Sequence, residues 1–510
     1  MPDAAKVQFN VKNFTPGVST PQPGIFYVIG ETKRGPVEQP ELGVSLINSW
    51  PQFERTFGGL MQTADFPLLC KRAIARGAKL RICRVDGDAA GTAAVQAGSE
   101  SIANGDGAPV QMFTVRPKYK GVNYNSFSVE IKLATNGSTD YWNMELVHAL
   151  EPELNEIYEN IPAFIASTAN DQTCLDEIKA MSQNFDFVYL DASAAVLLVP
   201  VVAAAVAFTL GVDPAGITAA DYTAAMLMFD NVDDGLIMAC PEEDDDAINA
   251  AGITYAAARG DIVFFAHLAN SFVTAANIVA ERAATGNDSK HGAFYGGGIR
   301  IREDRTLVEK AMSEMGDVLG IAAYVHSQFG EWYSLAGQTK GFVPDALGVV
   351  NNFGTPASFA DLNLLANSQV NMMVQKNGIT QLSGNFSGQF ANNQEKYLNV
   401  VFLILWMKKT MKPILESYLE EPNDPITFQK IYYHLKPYLD QLASPAYRAL
   451  YKYEYYGDQE ANTIDDLQIN DPVDVQNGKY KINLKIWPIP SLQELTLNLM
   501  LVQGEGVFIS

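Results

Sequence analysis

Carboxylates dominate the ionisable residues, with 58 Asp and Glu against 36 Lys and Arg, so acid chemistry is the first to look for. Asp230-Asn231-Val232-Asp233-Asp234-Gly235 has the acid content of a calcium loop. Val232, however, stands at the third position, where an oxygen ligand is required, and Pro241 stands where a bidentate Glu closes the coordination sphere. The segment reads as a polar turn before a buried strand. Glu242 to Asp246 are five consecutive acids. Adjacent side chains point in different directions, so this run reads as the solvated start of a helix. His148, His267, His291, His326 and His434 are far apart, and none has a second histidine at metal-ligand spacing. No GxSxG elbow supplies a nucleophile, and His291-Gly292 has no serine motif to match it. Tyr295-Gly296-Gly297-Gly298 is not a GxGxxG fingerprint, and no GxxxxGK[ST] occurs, so phosphate-loop chemistry has no basis here. Cys70, Cys83, Cys174 and Cys240 lack CxxC spacing and read as reduced, buried thiols. No catalytic, cofactor or metal residue is assigned, and a non-enzyme is expected.

The elements that would have to position such groups fall into blocks. Gly24 to Ile29 reads as a strand, Pro51 to Phe57 and Asp65 to Arg76 as helices, and Lys79 to Val85 as a strand alternating basic and apolar residues. Gly87 to Pro109 is rich in Gly, Ala and Asp and marks a boundary. Alternating segments between Val110 and Glu159, split by Gly and Asn-Gly turns, read as all-β. From Ile161 to Ile379, helical runs such as Ala219 to Met228 alternate with apolar runs such as Leu236 to Ala239, which implies an α/β layer structure. Tyr397 to Leu419 is a strongly apolar helix whose core run, Val400 to Met407, is too short to span a bilayer. A helix after Pro425 and a strand over Tyr480 to Trp487 follow. Ala192 to Val212 is uncharged, but it is Ala-rich, holds Pro200 centrally and lacks basic flanks, so no membrane segment is read there.

At 510 residues the chain is too long for one core, and two to four domains are expected. Its net charge of −22 repels phosphate backbones and argues against a nucleic-acid partner. The acid is unevenly spread: from Lys396 to Tyr456, eight Lys and Arg face six acids. Charged residues make up 18%, below the roughly 25% of an average soluble protein. A weakly polar surface of this kind suits repeated subunit contacts.

The two ends read as strands in want of partners. Val7, Phe9 and Val11 alternate with polar residues ahead of a Pro/Gly-rich stretch, and Leu495, Leu497, Leu499 and Leu501 alternate near the C-terminus. Such strands must find acceptors and donors somewhere. A neighbouring copy could supply them.

Several segments in chain order resemble the tail-sheath proteins of contractile phages and related injection machines. They are Pro16-Gly17-Val18, Arg34-Gly35-Pro36, Ile47-Asn48-Ser49-Trp50, Leu80-Arg81-Ile82-Cys83-Arg84-Val85 and Gly121-Val122-Asn123-Tyr124-Asn125, in which Tyr124 replaces a glycine. Phe208-Thr209-Leu210-Gly211, Ala220-Asp221-Tyr222 and Tyr397-Leu398-Asn399-Val400 continue the series. The family's middle-region Pro-Pro-Ser-Gly and Ala-Pro-Ala-Asn pair is missing. The resemblance implies an α+β multidomain protein: an N-terminal arm (1–24), an N-terminal part of the core (25–87), an inserted β-sandwich (88–160), a subtilisin-like α/β domain (161–390) and a C-terminal α+β domain with a terminal strand arm (391–510). It implies a structural subunit in hexameric rings stacked around a rigid tail tube, contracting without a cofactor. Strand exchange between subunits would involve Val7, Phe9, Val11, Ile482, Leu484, Ile486, Leu495, Leu497, Leu499 and Leu501. Arg448 and Lys452, four apart, would share a helix face toward the tube. Expected partners are further copies, the tail tube protein, and baseplate and tail terminator proteins, with no direct membrane insertion; the location is a virion tail assembled in the host bacterial cytoplasm. An α/β hydrolase and a non-contractile shell protein are the alternatives.

Overall fold

The structure, a computed structural model, describes residues 22–36, 46–85, 98, 100–103, 111–164, 168–190, 199–200, 202–303, 307–457, 462–465 and 467–491. Ile25-Phe26-Tyr27-Val28-Ile29-Gly30 is apolar on both faces and forms β1 (Ile25–Gly30), buried along its whole length. A strand with no polar face belongs inside a sheet covered on both sides. β2 (Leu46–Ile47), α1 (Trp50–Phe57), α2 (Phe66–Ala75) and β3 (Lys79–Arg84) follow.

The chain then leaves the end of β3 to build an insertion from β4 (Glu100–Ala103), β5 (Gln111–Pro117), β6 (Phe127–Leu133), β7 (Tyr141–His148), β8 (Glu156–Pro162), α3 (Thr168–Met181), β9 (Phe185–Tyr189) and β10 (Ala203–Ala207). Two antiparallel sheets, β10-β6-β7-β8 and β4-β5-β9, enclose one core of Phe113, Phe127, Trp142, Phe185 and Phe187. That core also holds Leu175, Ile178 and Phe208. The insertion therefore runs well past the expected limit of 160, because β9 pairs with β5 and β10 with β6 across long stretches of chain.

The body resumes with α4 (Ala219–Leu227), β11 (Ile237–Ala239), α5 (Asp246–Arg259), β12 (Val263–His267), α6 (Ala275–Ala284), β13 (Gly292–Gly296), β14 (Ile299–Arg302), β15 (Glu309–Met312), α7 (Met315–Gln328), β16 (Gly348–Val349), α8 (Phe359–Asn367), β17 (Val370–Lys376) and β18 (Ile379–Ser383). Among the described residues, eight strands form one sheet in the order β18-β17-β13-β12-β11-β1-β3-β2. Strands on either side of the insertion, β1 to β3 before it and β11 to β13, β17 and β18 after it, thus build one sheet, joined in space although the insertion separates them in sequence. β3, β1, β11, β12, β13 and β17 run parallel, and β18 and β2 close the edges antiparallel. The parallel order, 2-1-3-4-5-6 in sequence terms, is that of a doubly wound sheet. It does not by itself single out the subtilisin-like arrangement. Alternation along β1 sends Phe26 and Val28 into a core with α2 and α7, and Tyr27 and Ile29 into a core with α4, α5, α6 and α8.

The C-terminal domain comprises α9 (Leu398–Glu416), α10 (Pro425–Ala443), β19 (Leu450–Tyr456), β20 (Thr463–Ile464), β21 (Leu467–Gln468), α11 (Pro472–Gln476) and β22 (Asn483–Pro488). α9 is apolar around most of its first three turns, as befits a helix buried on all sides. Leu398, Val401, Phe402 and Leu405 enter the body core, while Leu403, Met407 and Ile414 enter the C-terminal core with Ile431, Leu435 and Leu439 of α10. Among the described residues no helix is long and apolar enough to cross a membrane.

Candidate functional site

The residues with chemical potential are engaged by the protein itself. In the calcium-like turn, Asp234 takes a forked pair of bonds from Arg81, at 2.6 and 2.9 Å. The cation in that turn is a lysine: Lys409 of α9 donates to the carbonyls of Asp233 (2.7 Å) and Gly235 (2.6 Å) and pairs with Asp261 (2.9 Å). The five-acid run splits into separate tasks. Asp245 does begin a helix, capping α5 through the amides of Ala247 and Ile248. Glu242 instead caps α2, accepting from the amides of Asp65 (2.6 Å) and Phe66 (3.0 Å); burial pushes its carboxyl up to about 7, against the pull of those two amides. Glu243 accepts from the Tyr222 hydroxyl at 2.6 Å. Half-buried and committed, these two glutamates depart from the expected solvated helix start.

Four of the five histidines are likewise engaged through Nδ1. His148 Nδ1 accepts from the amides of Leu150 and Glu151, His291 Nδ1 meets the Ile262 carbonyl at 2.7 Å, and His434 Nδ1 meets the Tyr418 hydroxyl at 3.1 Å. His326 lies edge-on to Phe26 and Phe402, and burial pushes it down to about 3. Buried His267 pairs with buried Glu314 at 3.1 Å; burial alone would lower its affinity for a proton, but Glu314 outweighs it and holds the imidazole above its usual value. Among the described residues, no group of three His, Cys, Asp or Glu is placed to hold a metal. Cys70, Cys83 and Cys240 are buried and Cys174 is half-buried, none of them in a disulfide.

In doubly wound sheets ligands bind beyond the carboxyl ends of the strands, where the strand order reverses. Here that position lies at the ends of β1, β3 and β11, and the neck of the insertion fills it. Arg34, following β1, and Arg84, ending β3, are only 1% and 2% exposed. Arg34 donates to Glu151 (3.0 Å) and Asn123 (3.1 Å) of the insertion and to the Glu54 carbonyl (2.6 Å) of the body. Arg84 donates to the Lys120 carbonyl (2.7 Å) and pairs with Asp213 (3.1 Å), so it holds both the outgoing and the returning chain. Asn125 clasps Gly211 through both its amide atoms, at 2.8 and 2.9 Å. A Cβ on Gly211 would lie 2.3 Å from the Gly121 carbonyl oxygen, so only glycine permits this approach. Pieces of four motif segments, Arg34-Gly35-Pro36, Leu80 to Val85, Gly121 to Asn125 and Phe208 to Gly211, converge here. Their spacing in sequence gave no sign that they meet.

The other candidate is the β19–β22 sheet. β22 pairs antiparallel with β19, Leu484 opposite Tyr455 and Ile486 opposite Tyr453, and Ile482 packs beside them on the C-terminal core. Leu484 and Ile486 belong to a sheet that the chain forms with itself and Ile482 directly precedes it, so they are not on a free arm. Among the described residues the sheet has two strands and hence two open edges. Val7, Phe9, Val11, Leu495, Leu497, Leu499 and Leu501 lie outside the described residues. Arg448 and Lys452 do not share a helix face. α10 ends at Ala443, Arg448 sits in a turn at φ +53°, and Lys452 is on β19, its ammonium 3.9 Å from the centre of the Trp487 ring and 2.9 Å from Glu454.

Among the described residues the β19–β22 sheet keeps two open edges, and the insertion occupies the strand-end crevice. The fold is that of the sheath proteins of contractile tails and injection systems. It is similar to the sheath tail protein of Listeria innocua, at 11% identity, with 86% of this chain and 90% of that chain covered and a TM-score of 0.57. It is also similar to the sheath tail protein of Desulfitobacterium hafniense (12%; 96% and 100%; TM-score 0.53), and to the helical sheath of the anti-feeding prophage in its contracted state (12%; 98% and 99%; TM-score 0.53). No protein-family model matches the chain, and no curated protein matches it either.

Proposed function

We propose that this chain is the structural subunit of a contractile sheath, stacked in hexameric rings around a tail tube and shortening from a metastable extended state. The observation that carries the reading is the likeness in fold to a contracted helical sheath over 98% of the chain. The open edges of the β19–β22 sheet suit it, since each could accept an extended segment from a neighbouring copy. The terminal segments around Val7 to Val11 and Leu495 to Leu501 are the proposed donors. About four to six backbone hydrogen bonds per donated strand, each a net ~1 kcal/mol, would keep rings linked while the subunits repack. Contraction is then a switch between two packings, with no nucleotide consumed by this chain. The tail tube, baseplate and terminator proteins are the proposed partners, and the tail of a phage or related particle assembled in a bacterial cytoplasm is the proposed location. The body sheet is read in the same proposal as the subtilisin-like layer of sheath subunits. Negative-stain microscopy of the expressed protein tests the assignment: striated tubes of stacked six-fold rings are expected, and discrete monomers at high concentration would overturn it. Deleting Met1 to Phe14 or Leu495 to Ser510 should leave a folded subunit that builds no sleeve.

A further inference from the structure

Many cations of this protein have an anionic partner, among them Arg34, Arg84, Arg259 and Lys409. Half-buried Lys340 and Lys376 and exposed Arg448 do not. Lys340 in the segment after α7, Lys376 ending β17 and Arg448 before β19 come from distant parts of the chain and line one pocket of about 460 Å³ between the body and the C-terminal domain. None of the three forms an ion pair among the described residues. Lys340 lies instead over the rings of Tyr333 (4.5 Å) and Phe329 (5.0 Å), the substitute a cation finds when no carboxylate is within reach. Burial first, and then the nearby Arg448 charge, weakens its hold on its proton. The far wall is fixed: the Asn385 amide donates to Asn399 (2.7 Å) and to Ser491 (3.0 Å), tying the segment after β22 to the body.

Three cations around one pocket make it a locally positive site that favours an anion. It is the more notable in a chain with a net charge of −22. We propose that this pocket receives an acidic side chain from a second copy of the chain. The chain's own surface offers the complement, since Glu153, Asp244, Glu420 and Glu421 are all exposed. A contact of this kind also offsets the repulsion between acidic copies, which a free inorganic anion would leave in place. The inference rests on the sheath reading for the second copy, but not for the pocket's taste for carboxylates.

The test joins Lys340→Gln, Lys376→Gln and Arg448→Gln in the full chain, with the thermal unfolding curve as a check on folding. Assembly is followed by pelleting, and binding of a decaglutamate peptide to unassembled protein by tryptophan fluorescence, Trp332 being part of the pocket wall. The variant should pellet about tenfold less than wild type at low salt, a gap that narrows at high salt, and should lose peptide binding. Wild-type assembly should be inhibited by the peptide. Equal pelleting of a folded variant overturns the second-copy assignment, and equal peptide binding overturns the pocket. If the wild type forms no assemblies at all, the sheath reading fails while the peptide titration still decides the pocket.

Discussion

Replacing Arg34 by Met keeps most of the side-chain volume and removes a guanidinium that holds body and insertion together. The group is 1% exposed and makes four bonds, to Glu151, Asn123 and the carbonyls of Glu54 and Arg55. Breaking a buried ion pair from one side costs about 3–5 kcal/mol. The lower end applies here, because Glu151 is 23% exposed and keeps Lys33 at 3.2 Å. About 3 kcal/mol corresponds to roughly a hundredfold more neck opening. Hydrogen exchange resolved by mass spectrometry should therefore accelerate about that much in 121–126 and 148–155, with β12 and β13 unchanged. Lys at this position should not restore protection, since an ammonium cannot reproduce a four-bond fork. Burial pulls the Glu151 carboxyl up, but Arg34 and Lys33 together hold it below its usual value. A depressed carboxylate contributes stability that is present above its unfolded value, about 4.3, and is lost as pH falls through the folded one. Wild type and variant should thus draw closer as the pH falls below the unfolded value and through the lower folded one. Unchanged exchange at 121–126, or acceleration spread evenly into β12 and β13, would refute the clamp.

Gly211→Ala should destabilise the same neck by about 1–3 kcal/mol, because the Gly121 backbone cannot yield as a side chain would; exchange at 209–216 measures it. Glu242 titrates in the opposite sense to Glu151: a carboxyl raised to about 7 by burial lowers stability as pH rises from its unfolded value near 4.3 to about 7. Glu242→Gln should flatten the unfolding midpoint over that window while weakening the α2 cap, and a pH series of urea midpoints checks both. Phe402→Ala, emptying a site that is 0% exposed on α9, should cost about 3–5 kcal/mol and unfold body and C-terminal domain in one transition; two separate calorimetric transitions would contradict the shared core.

Much of the body was legible in sequence because its signals are local. β1 is a continuous apolar run, α1 and α2 each begin with proline in the first turn, and α10 starts at Pro425 behind its Asp424 cap. The insertion's far limit was not legible, since β9 and β10 find their partners some seventy residues away or more, and no period in the chain records a pairing. Arg84 was read correctly as a strand residue, but a strand pattern does not say that its last side chain will meet Asp213. Arg448 and Lys452 misled through their spacing. Four residues apart is a helical signal only if the backbone stays helical, and the break at Ser444-Pro445 followed by a positive φ at Arg448 turns the chain into β19. The strand residues at the two ends remain proposals of sequence alone.

α9 has a mechanical consequence. A helix with one flank in each of two cores is a strut with no free length. Lys409 pins it further to the turn before β11 and to Asp261. A pull applied at the β19–β22 edge would travel along a rod whose backbone bonds lie parallel to its axis and reach the central sheet without passing through a flexible joint. In the proposed sheath, compliance would then reside between copies, where displacement can accumulate from one to the next, and each copy would turn as a rigid part.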